Sequence, residues 1–435
     1  MNKPSAATAS IIPALDTMPP PAAGTAGTWL QRLGKRLFLN ALGRFQHGEL
    51  TLVVPATGER RVFGRRTPQC DVHATLEILH PQTFADAAFG GTVGGGEAYI
   101  RGQWRADDLT ALVRLFVANR EAMESFEGAA TYVSDPVRRV LHWINRNSID
   151  GSRRNISAHY DLGNDLFALF LDQTMMYSCA VFEREDMSLH EAQVAKLDRI
   201  CRRLQLTPND HLVEIGTGWG GLALHAAQRY GCRVTTTTIS REQHDWAEEK
   251  LHAAGLLQSG QVTLLLEDYR NLAGRYDKLV SVEMIEAVGH QYLDTYTARC
   301  SSLLKPEGAM LLQAITIQDQ VYEQALQSVD FIQRYIFPGS FIPSVTAITD
   351  SFRRVTDMKV FHLEDIGPHY ATTLRKWREN FLARLADVRQ LGYPDSFIRM
   401  WEFYLCYCEG GVLERQIGDV QMLLTKPRCR LPAPV

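Results

Sequence analysis

The order of apolar runs in the second half of this chain restricts its fold more than any other feature. Short aliphatic and β-branched runs at 211–215, 233–238, 262–266, 276–282 and 309–317 are strand-like, and helical periodicity fills 222–230 and 242–254 between them. Strands that alternate with helices line up in parallel and are covered on both faces. The expected class is α/β, with a Rossmann-like, parallel-rich sheet. The turn after the first strand reads Gly216-Thr217-Gly218-Trp219-Gly220-Gly221 and feeds an Ala/Leu-rich helix. Glycines there permit positive φ and close backbone approach by a ligand at a helix N-terminus. The position is also the ligand-binding edge of an open sheet.

The spacing narrows the ligand. G-x-G-x-G-G is not the dinucleotide pattern G-x-G-x-x-G, and the strand at 233–238 ends without a carboxylate. Thr237, Thr238 and Ser240 follow instead, with Glu242 and Gln243 opening the next helix. Hydroxyl and amide groups can bind a ribose there. Glu267-Asp268-Tyr269 comes after the next strand, where an adenine amino group needs an acceptor. An adenosyl ligand fits this set better than NAD; the bland alternative is an ordinary tight turn.

Upstream, residues 1–28 are rich in Ala, Pro, Ser and Thr, with a short apolar patch broken by Pro13, and are expected to be a disordered tail rather than a signal peptide. Residues 29–145 are expected to form a smaller N-terminal α+β domain. It comprises a helix at 29–45, a hairpin at 49–63 turning at Ala56-Thr57-Gly58, a strand at 74–78, and a loop-rich passage through Gly90, Gly91, Gly94, Gly95 and Gly96. Two helices follow at 107–145, broken at Ser134-Asp135-Pro136. Residues 146–435 form the second domain.

A formal net charge of −3 gives no global basic excess for nucleic acid, so none is expected as a partner. Eight cysteines are sparse for 435 residues and none form C-x-x-C pairs, which excludes a zinc site of that kind and suits free thiols in a reducing cytoplasm. No apolar run approaches the roughly 20 residues of a membrane span. Contact with a bilayer would be peripheral, through the apolar stripe of 29–45 with Arg32, Lys35, Arg36 and Arg44, and through Arg138, Arg139, Arg146, Arg153 and Arg154. The alternative is a packed helix with a solvated basic edge. A homodimer is left open.

Several further runs resemble the cyclopropane fatty acid synthase family, which methylenates unsaturated phospholipid acyl chains. They are His159-Tyr160-Asp161-Leu162-Gly163-Asn164-Asp165, Met176-Tyr177-Ser178-Cys179-Ala180, Glu214 to Gly221, Thr238 to Gln243, Met284-Ile285-Glu286-Ala287-Val288-Gly289, Tyr335-Ile336-Phe337-Pro338 with Ile342-Pro343-Ser344, and Cys406 to Gly411. The resemblance implies a Rossmann-like methyltransferase domain at 146–435 and a lipid- or membrane-docking domain at 29–145. It implies an S-adenosylmethionine site at Tyr177, Ser178, Glu214, Gly216, Thr217, Gly218, Trp219, Gly220, Thr238, Gln243, Glu267 and Asp268. It also implies a bicarbonate ion held by Cys179, Glu286, Ile315 and Tyr370. A further ion position that usually carries His is Gln313 here, and glutamine donates a hydrogen bond but cannot titrate. Cys408 matches a position once regarded as catalytic. The implied location is cytoplasmic, peripheral to the inner face of the membrane.

The chemistry needs such residues. An alkene attacking a sulfonium methyl leaves a carbocation, which aromatic faces and an anion stabilise in a dry pocket. A base must then take a proton from the new methyl for a ring to close, and bicarbonate is expected there. The alternatives are a related methyltransferase giving a methyl branch or methylene, or acting on a small amine, and a silent lipid-binding protein.

Overall fold

The computed structural model describes residues 28–123 and 162–432. The expected tail up to residue 27, the break at Ser134-Asp135-Pro136, His159-Tyr160-Asp161, and Arg138, Arg139, Arg146, Arg153 and Arg154 lie outside the described residues. The chain divides into two compact units. The first is Met1–Ile144 with Gln327–Pro338 and Leu382–Gln416; the second is Asn145–Leu326 with Gly339–Phe381 and Ile417–Val435. One division between the units falls at Ile144 and Asn145. The return of two C-terminal segments to the first unit was not foreseen, because local periodicity carries no record of which distant segments share a core.

In the first unit, β1 (Gly48–Val54) and β2 (Glu59–Arg65) form the expected antiparallel hairpin, closed at Gly58 with φ +68. β3 (His73–Ile78) runs parallel to β1, and β4 (Trp104–Ala106) pairs with β3, giving the order β2-β1-β3-β4. Helix α1 (Trp29–Leu42) starts at a capping box: Thr28 accepts from the Gln31 N–H, and the Gln31 side chain accepts from the Thr28 N–H.

One expectation fails here. The glycine-rich passage is part of helix α2 (Gln82–Ile100), interrupted only at Gly91, whose φ is +56. A Cβ at Gly94 would lie 2.0 Å from the Asp86 carbonyl oxygen, and one at Gly96 would lie 2.7 Å from the Phe331 ring. Those glycines serve close packing rather than a loop. Helix α3 (Leu109–Ala118) follows, N-capped by Asp108.

The second unit is a seven-stranded sheet in the order β10-β11-β9-β8-β5-β6-β7. The strands are β5 (His211–Ile215), β6 (Arg233–Thr238), β7 (Val262–Leu266), β8 (Tyr276–Val282), β9 (Leu304–Ile317), β10 (Lys359–Asp365) and β11 (Ile417–Thr425). β5 to β9 are parallel, and β11 joins antiparallel between β9 and β10. Helices α4 (Leu189–Leu204), α5 (Gly221–Tyr230), α6 (Arg241–Ala253) and α7 (Gly367–Ala383) belong to this unit.

Both sheet faces are apolar. Leu212, Val234, Val280, Leu311 and Leu423 meet Leu197, Ile200, Leu222 and Ala226 on one side. On the other, Val213, Leu279, Leu312, Met422 and Leu424 meet Leu293, Tyr296, Ile348 and Phe352. Each such side chain contributes about 1.5–3 kcal/mol on burial. The first face changes character along two neighbouring strands. β9 passes from Leu311 to Gln313 and Ile315, and β11 from Leu423 to Gln421 and Asp419, with Gln313 opposite Gln421 and Ile315 opposite Asp419. All four of the polar or acidic-strip residues Gln313, Gln421, Asp419 and the Lys196 that α4 buries are essentially inaccessible. The oily face therefore ends in a buried polar patch.

Candidate active site

β6 and β8 flank β5 on opposite sides, so the chain leaves β5 at the point where strand order reverses, which is where open sheets form a crevice. Gly216 has φ +100, Gly218 +51 and Gly220 +87. The N–H groups of Gly216 and Thr217 donate to the Thr237 carbonyl at 3.0 Å, tying the turn to β6. A Cβ at Gly218 would meet nothing within 4 Å, so the turn faces open space there. Behind it Glu214 is buried, accepting from the Thr236 hydroxyl at 2.5 Å, and burial pushes its carboxyl up to about 8.

The surroundings hold the turn still. Trp219 is buried and donates its indole N–H to Asn164 Oδ1 at 2.6 Å. The Thr217 and Thr236 hydroxyls bond to each other, and Thr238 donates to Gln243 Oε1 at 3.0 Å. Asp268 is buried and clasped by Arg270, which reaches Oδ1 through Nε at 2.8 Å and Oδ2 through a terminal nitrogen at 2.7 Å. The Glu267 carbonyl accepts from the Thr237 hydroxyl. An adenosyl group fits this donor set: an open glycine turn at a helix N-terminus, hydroxyl and amide groups after β6, and acidic residues after β7.

The buried polar patch lies at the ends of β8 and β9. Glu283, the first residue after β8, has φ +46, a left-handed backbone that side chains other than glycine rarely adopt. Its N–H donates to the Gln313 carbonyl at 2.8 Å. Its Oε1 accepts from the Cys179 N–H at 2.7 Å and from Gln313 Nε2 at 2.8 Å, and its Oε2 accepts from the Tyr370 hydroxyl at 3.3 Å. Gln421 Nε2 donates to Gln313 Oε1 at 3.0 Å, which fixes the Gln313 amide with its nitrogen toward Glu283. Glu286 Oε1 accepts from the Ile315 N–H at 2.6 Å, while Oε2 is buried with no partner among the described residues. Burial, then the charge of Glu283, pushes its carboxyl up to about 8.

Two more ionisable groups face this cluster. Asp419 is fully buried, and among the described residues neither carboxylate oxygen has a hydrogen-bond donor. Burial and the adjacent Glu283 carboxylate hold its carboxyl well above the usual range, so Asp419 keeps its proton. Lys196 donates to the Ser178 hydroxyl at 2.6 Å, and burial lowers its ammonium to about 8 against the pull of Glu283. Aromatic rings adjoin: Tyr370 lies 6.2 Å from Trp377, which lies 5.2 Å from Tyr177, itself 5.3 Å from Phe167.

The structure thus brings Cys179, Glu286, Gln313, Ile315 and Tyr370 together, as the sequence led one to expect. Burial raises the Cys179 thiol well above its usual value, and it is the backbone N–H of this residue that meets Glu283. The residues do not, however, fit a bicarbonate ion. The Cys179 N–H, the Gln313 amide and the Tyr370 hydroxyl are taken by Glu283, and the Ile315 N–H by Glu286.

Cys408 does not join them. It belongs to the first unit, on the helix Asp395–Leu413, and its thiol is pushed up by burial and the Asp330 carboxylate, so it stays protonated and is a poor nucleophile. Glu283, Asp419 and Lys196 are the functional candidates that the sequence reading missed. A second glutamate beside Glu286 at a strand's carboxyl end was a usable signal, as was Asp419, the one charged residue of the stretch Ile417–Thr425.

The mycolic acid cyclopropane synthetase family model matches residues 147–422. The chain is 39% identical over 385 residues to tuberculostearic acid methyltransferase of Mycobacterium tuberculosis, covering 83% of this chain and 86% of that one. It is 36% identical over 360 residues to cyclopropane-fatty-acyl-phospholipid synthase of Escherichia coli, covering 81% and 88%. Among solved structures, a mycolic acid cyclopropane synthase complexed with SAH and CTAB superposes with a TM-score of 0.59 at 31% identity, covering 63% of this chain and 98% of that one. An adenosyl-shaped turn on a mostly parallel sheet, together with relatives this similar over most of their length, places the chain in the mycolic acid cyclopropane synthetase family of S-adenosylmethionine-dependent methyltransferases.

Proposed function

We propose that the chain transfers one carbon from S-adenosylmethionine to the double bond of an unsaturated phospholipid acyl chain and closes a cyclopropane ring. The observation that carries this reading is the aromatic wall of Tyr177, Trp377 and Tyr370 running into the carboxylate cluster at Glu283 and Glu286. A methyl transfer to an amine or hydroxyl has little use for such a site, whereas a carbocation needs it.

Gly216, Thr217, Gly218, Trp219 and Gly220 with Tyr177 and Ser178 would hold the donor, Thr238 and Gln243 its ribose, and Glu267 and Asp268 its adenine. S-adenosylmethionine supplies a methyl carbon made electrophilic by its sulfonium. The alkene π pair forms the new C–C bond as the C–S pair stays with sulfur, which leaves the positive charge on the lipid. The rings and carboxylates of the chain stabilise that charge and exclude water. A base then removes a proton from the added methyl, and the freed C–H pair becomes the third bond of the ring.

A second reading ends in a methylene branch, and the 39% identity to a relative named as a methyltransferase favours it. It differs in which bond the last proton's electron pair forms. A saturated branch would need a hydride from another component. Unsaturated phospholipid vesicles with methyl-labelled S-adenosylmethionine test both: mass spectrometry should find one CH2 gained, and NMR separates ring from olefinic protons. Label that never enters the lipid would sink the reading.

We infer in addition that α1 meets the bilayer. Its Trp29 is 65% exposed, with Leu30 and Leu33 also exposed, and Arg32, Lys35, Arg36 and Arg61 line a neighbouring surface groove. Each cation near an anionic surface is worth about 1 kcal/mol. Among the described residues no helix is long and apolar enough to cross a membrane. Trp29→Ala with Arg32→Glu and Arg36→Glu should weaken co-sedimentation with anionic vesicles, and unchanged binding would refute the role of α1.

A further inference from the structure

We propose that the Glu283 carboxylate is the chain's own base, accepting the proton released from the methylated lipid cation in place of a bound small anion. The inference rests on the alkene-alkylation reading above. Four observations carry it. Glu283 takes the hydrogen-bond donors around it for itself: the Cys179 N–H, the Gln313 amide and the Tyr370 hydroxyl all point at its two oxygens. Its left-handed backbone, φ +46, is a strain that a purely space-filling residue would not require. It remains partly accessible, while Cys179, Gln313, Asp419, Gln421 and Tyr370 around it are buried. The Asp419 carboxyl, without a hydrogen-bond partner among the described residues, is held well above its usual range by burial and by the adjacent Glu283 carboxylate, so it keeps its proton and does not add a second negative charge beside Glu283.

The step balances. A C–H bond of the added methyl breaks, its pair forms the ring's third C–C bond, and the proton passes to Glu283, neutralising it. Solvent recovers the proton when the product leaves. Lys196 offsets part of the negative charge before the step, and Gln313, a neutral donor anchored by Gln421, supports the carboxylate without competing for the proton.

Two measurements test this on the full chain. The first needs no lipid: 13C-labelled bicarbonate is titrated against the wild type and Glu283→Ala and followed by NMR. The wild type should show no bound signal, and Glu283→Ala should show one as the released donors take the ion. The second measures S-adenosylhomocysteine formation with unsaturated phospholipid vesicles in carbonate-free buffer. Wild-type turnover should not respond to added bicarbonate. Glu283→Gln should lose roughly 10²- to 10⁴-fold in turnover with S-adenosylhomocysteine affinity, read by calorimetry, within a few-fold. Glu283→Ala should regain part of its loss with bicarbonate or formate.

Bound bicarbonate in the wild type, or turnover that stops without it, would overturn the proposal, as would Glu283→Gln turning over within a few-fold of wild type. Glu283→Gly, which relieves the left-handed strain, repeats the anion arm should Glu283→Ala fold poorly. Vesicles that yield no product with the wild type strike the substrate reading alone, because the anion arm reads the occupant of the site directly.

Discussion

The two ends of the proposed site are built in opposite ways. The donor end is one continuous turn, Gly216 to Gly221, whose function lies in backbone conformation and in the helix it opens. The base end is assembled from Cys179, Lys196, Glu283, Gln313, Tyr370 and Asp419, side chains that come from two helices, two strands and two loops. A turn needs only local sequence to form. A cluster of desolvated charges is tolerable only where distant segments converge to supply donors and a counter-charge. The donor end should therefore fail by losing affinity, and the base end by losing stability or turnover.

The largest effect is expected at the base end. Lys196→Met removes the buried cation that offsets the Glu283 carboxylate, which should cost about 3–5 kcal/mol in denaturant unfolding at pH 7. Adding Glu283→Gln, which removes the opposing charge as well, should recover part of the loss. A double variant no more stable than Lys196→Met would mean that Lys196 contributes by packing alone. At the donor end, Gly218→Val forces a β-branched residue to φ +51 and projects it into the open space before the turn. Calorimetry should record roughly a 100-fold loss of S-adenosylhomocysteine affinity, about 2.7 kcal/mol, in protein that still folds with a melting temperature a few degrees lower for the strained backbone. Retained affinity would move the donor site elsewhere.

A smaller effect sharpens the electrostatic half of the contrast. The Glu286 carboxyl keeps its proton up to about pH 8 in the folded chain, against an ordinary value of 4.5. Between those values the folded state holds the extra proton, so stability falls as pH rises through that window. Glu286→Gln should flatten the fall in melting temperature between about pH 5 and pH 8, by a few degrees at the upper end. An unchanged slope would assign the pH dependence to other groups, Asp419 first among them.

This contrast also sets what the sequence could disclose. The parallel strands β5 to β9 and the place of the glycine turn were legible because each is a run of neighbours with its own period or spacing, whereas the antiparallel strands β10 and β11 were not read. Helix α2 was misread because glycine runs usually mark loops, and only the tertiary neighbours Asp86 and Phe331 explain why side chains are absent there. Gln313 was singled out as a weakened ligand for an ion. Its partner Glu283 went unnoticed, because the hydrogen bond that gives both their meaning spans segments with no shared pattern in the chain.

The smallest expected effect probes whether the donor end is wholly local. Arg270 follows Asp268 by two residues and holds both of its oxygens, so it can act on a ligand through Asp268 without touching it. If Asp268 accepts the adenine amino group, Arg270→Gln frees the carboxylate to turn away, and S-adenosylhomocysteine affinity should drop several-fold, about the 1 kcal/mol of one hydrogen bond. If Asp268 serves only to pin the chain after β7, affinity should hold while the melting temperature falls. A loss of affinity without a loss of stability would make Arg270 a positioning residue. It would also show that even the donor end depends on side-chain charge at its adenine edge, which narrows the difference between the two ends to the glycine turn itself.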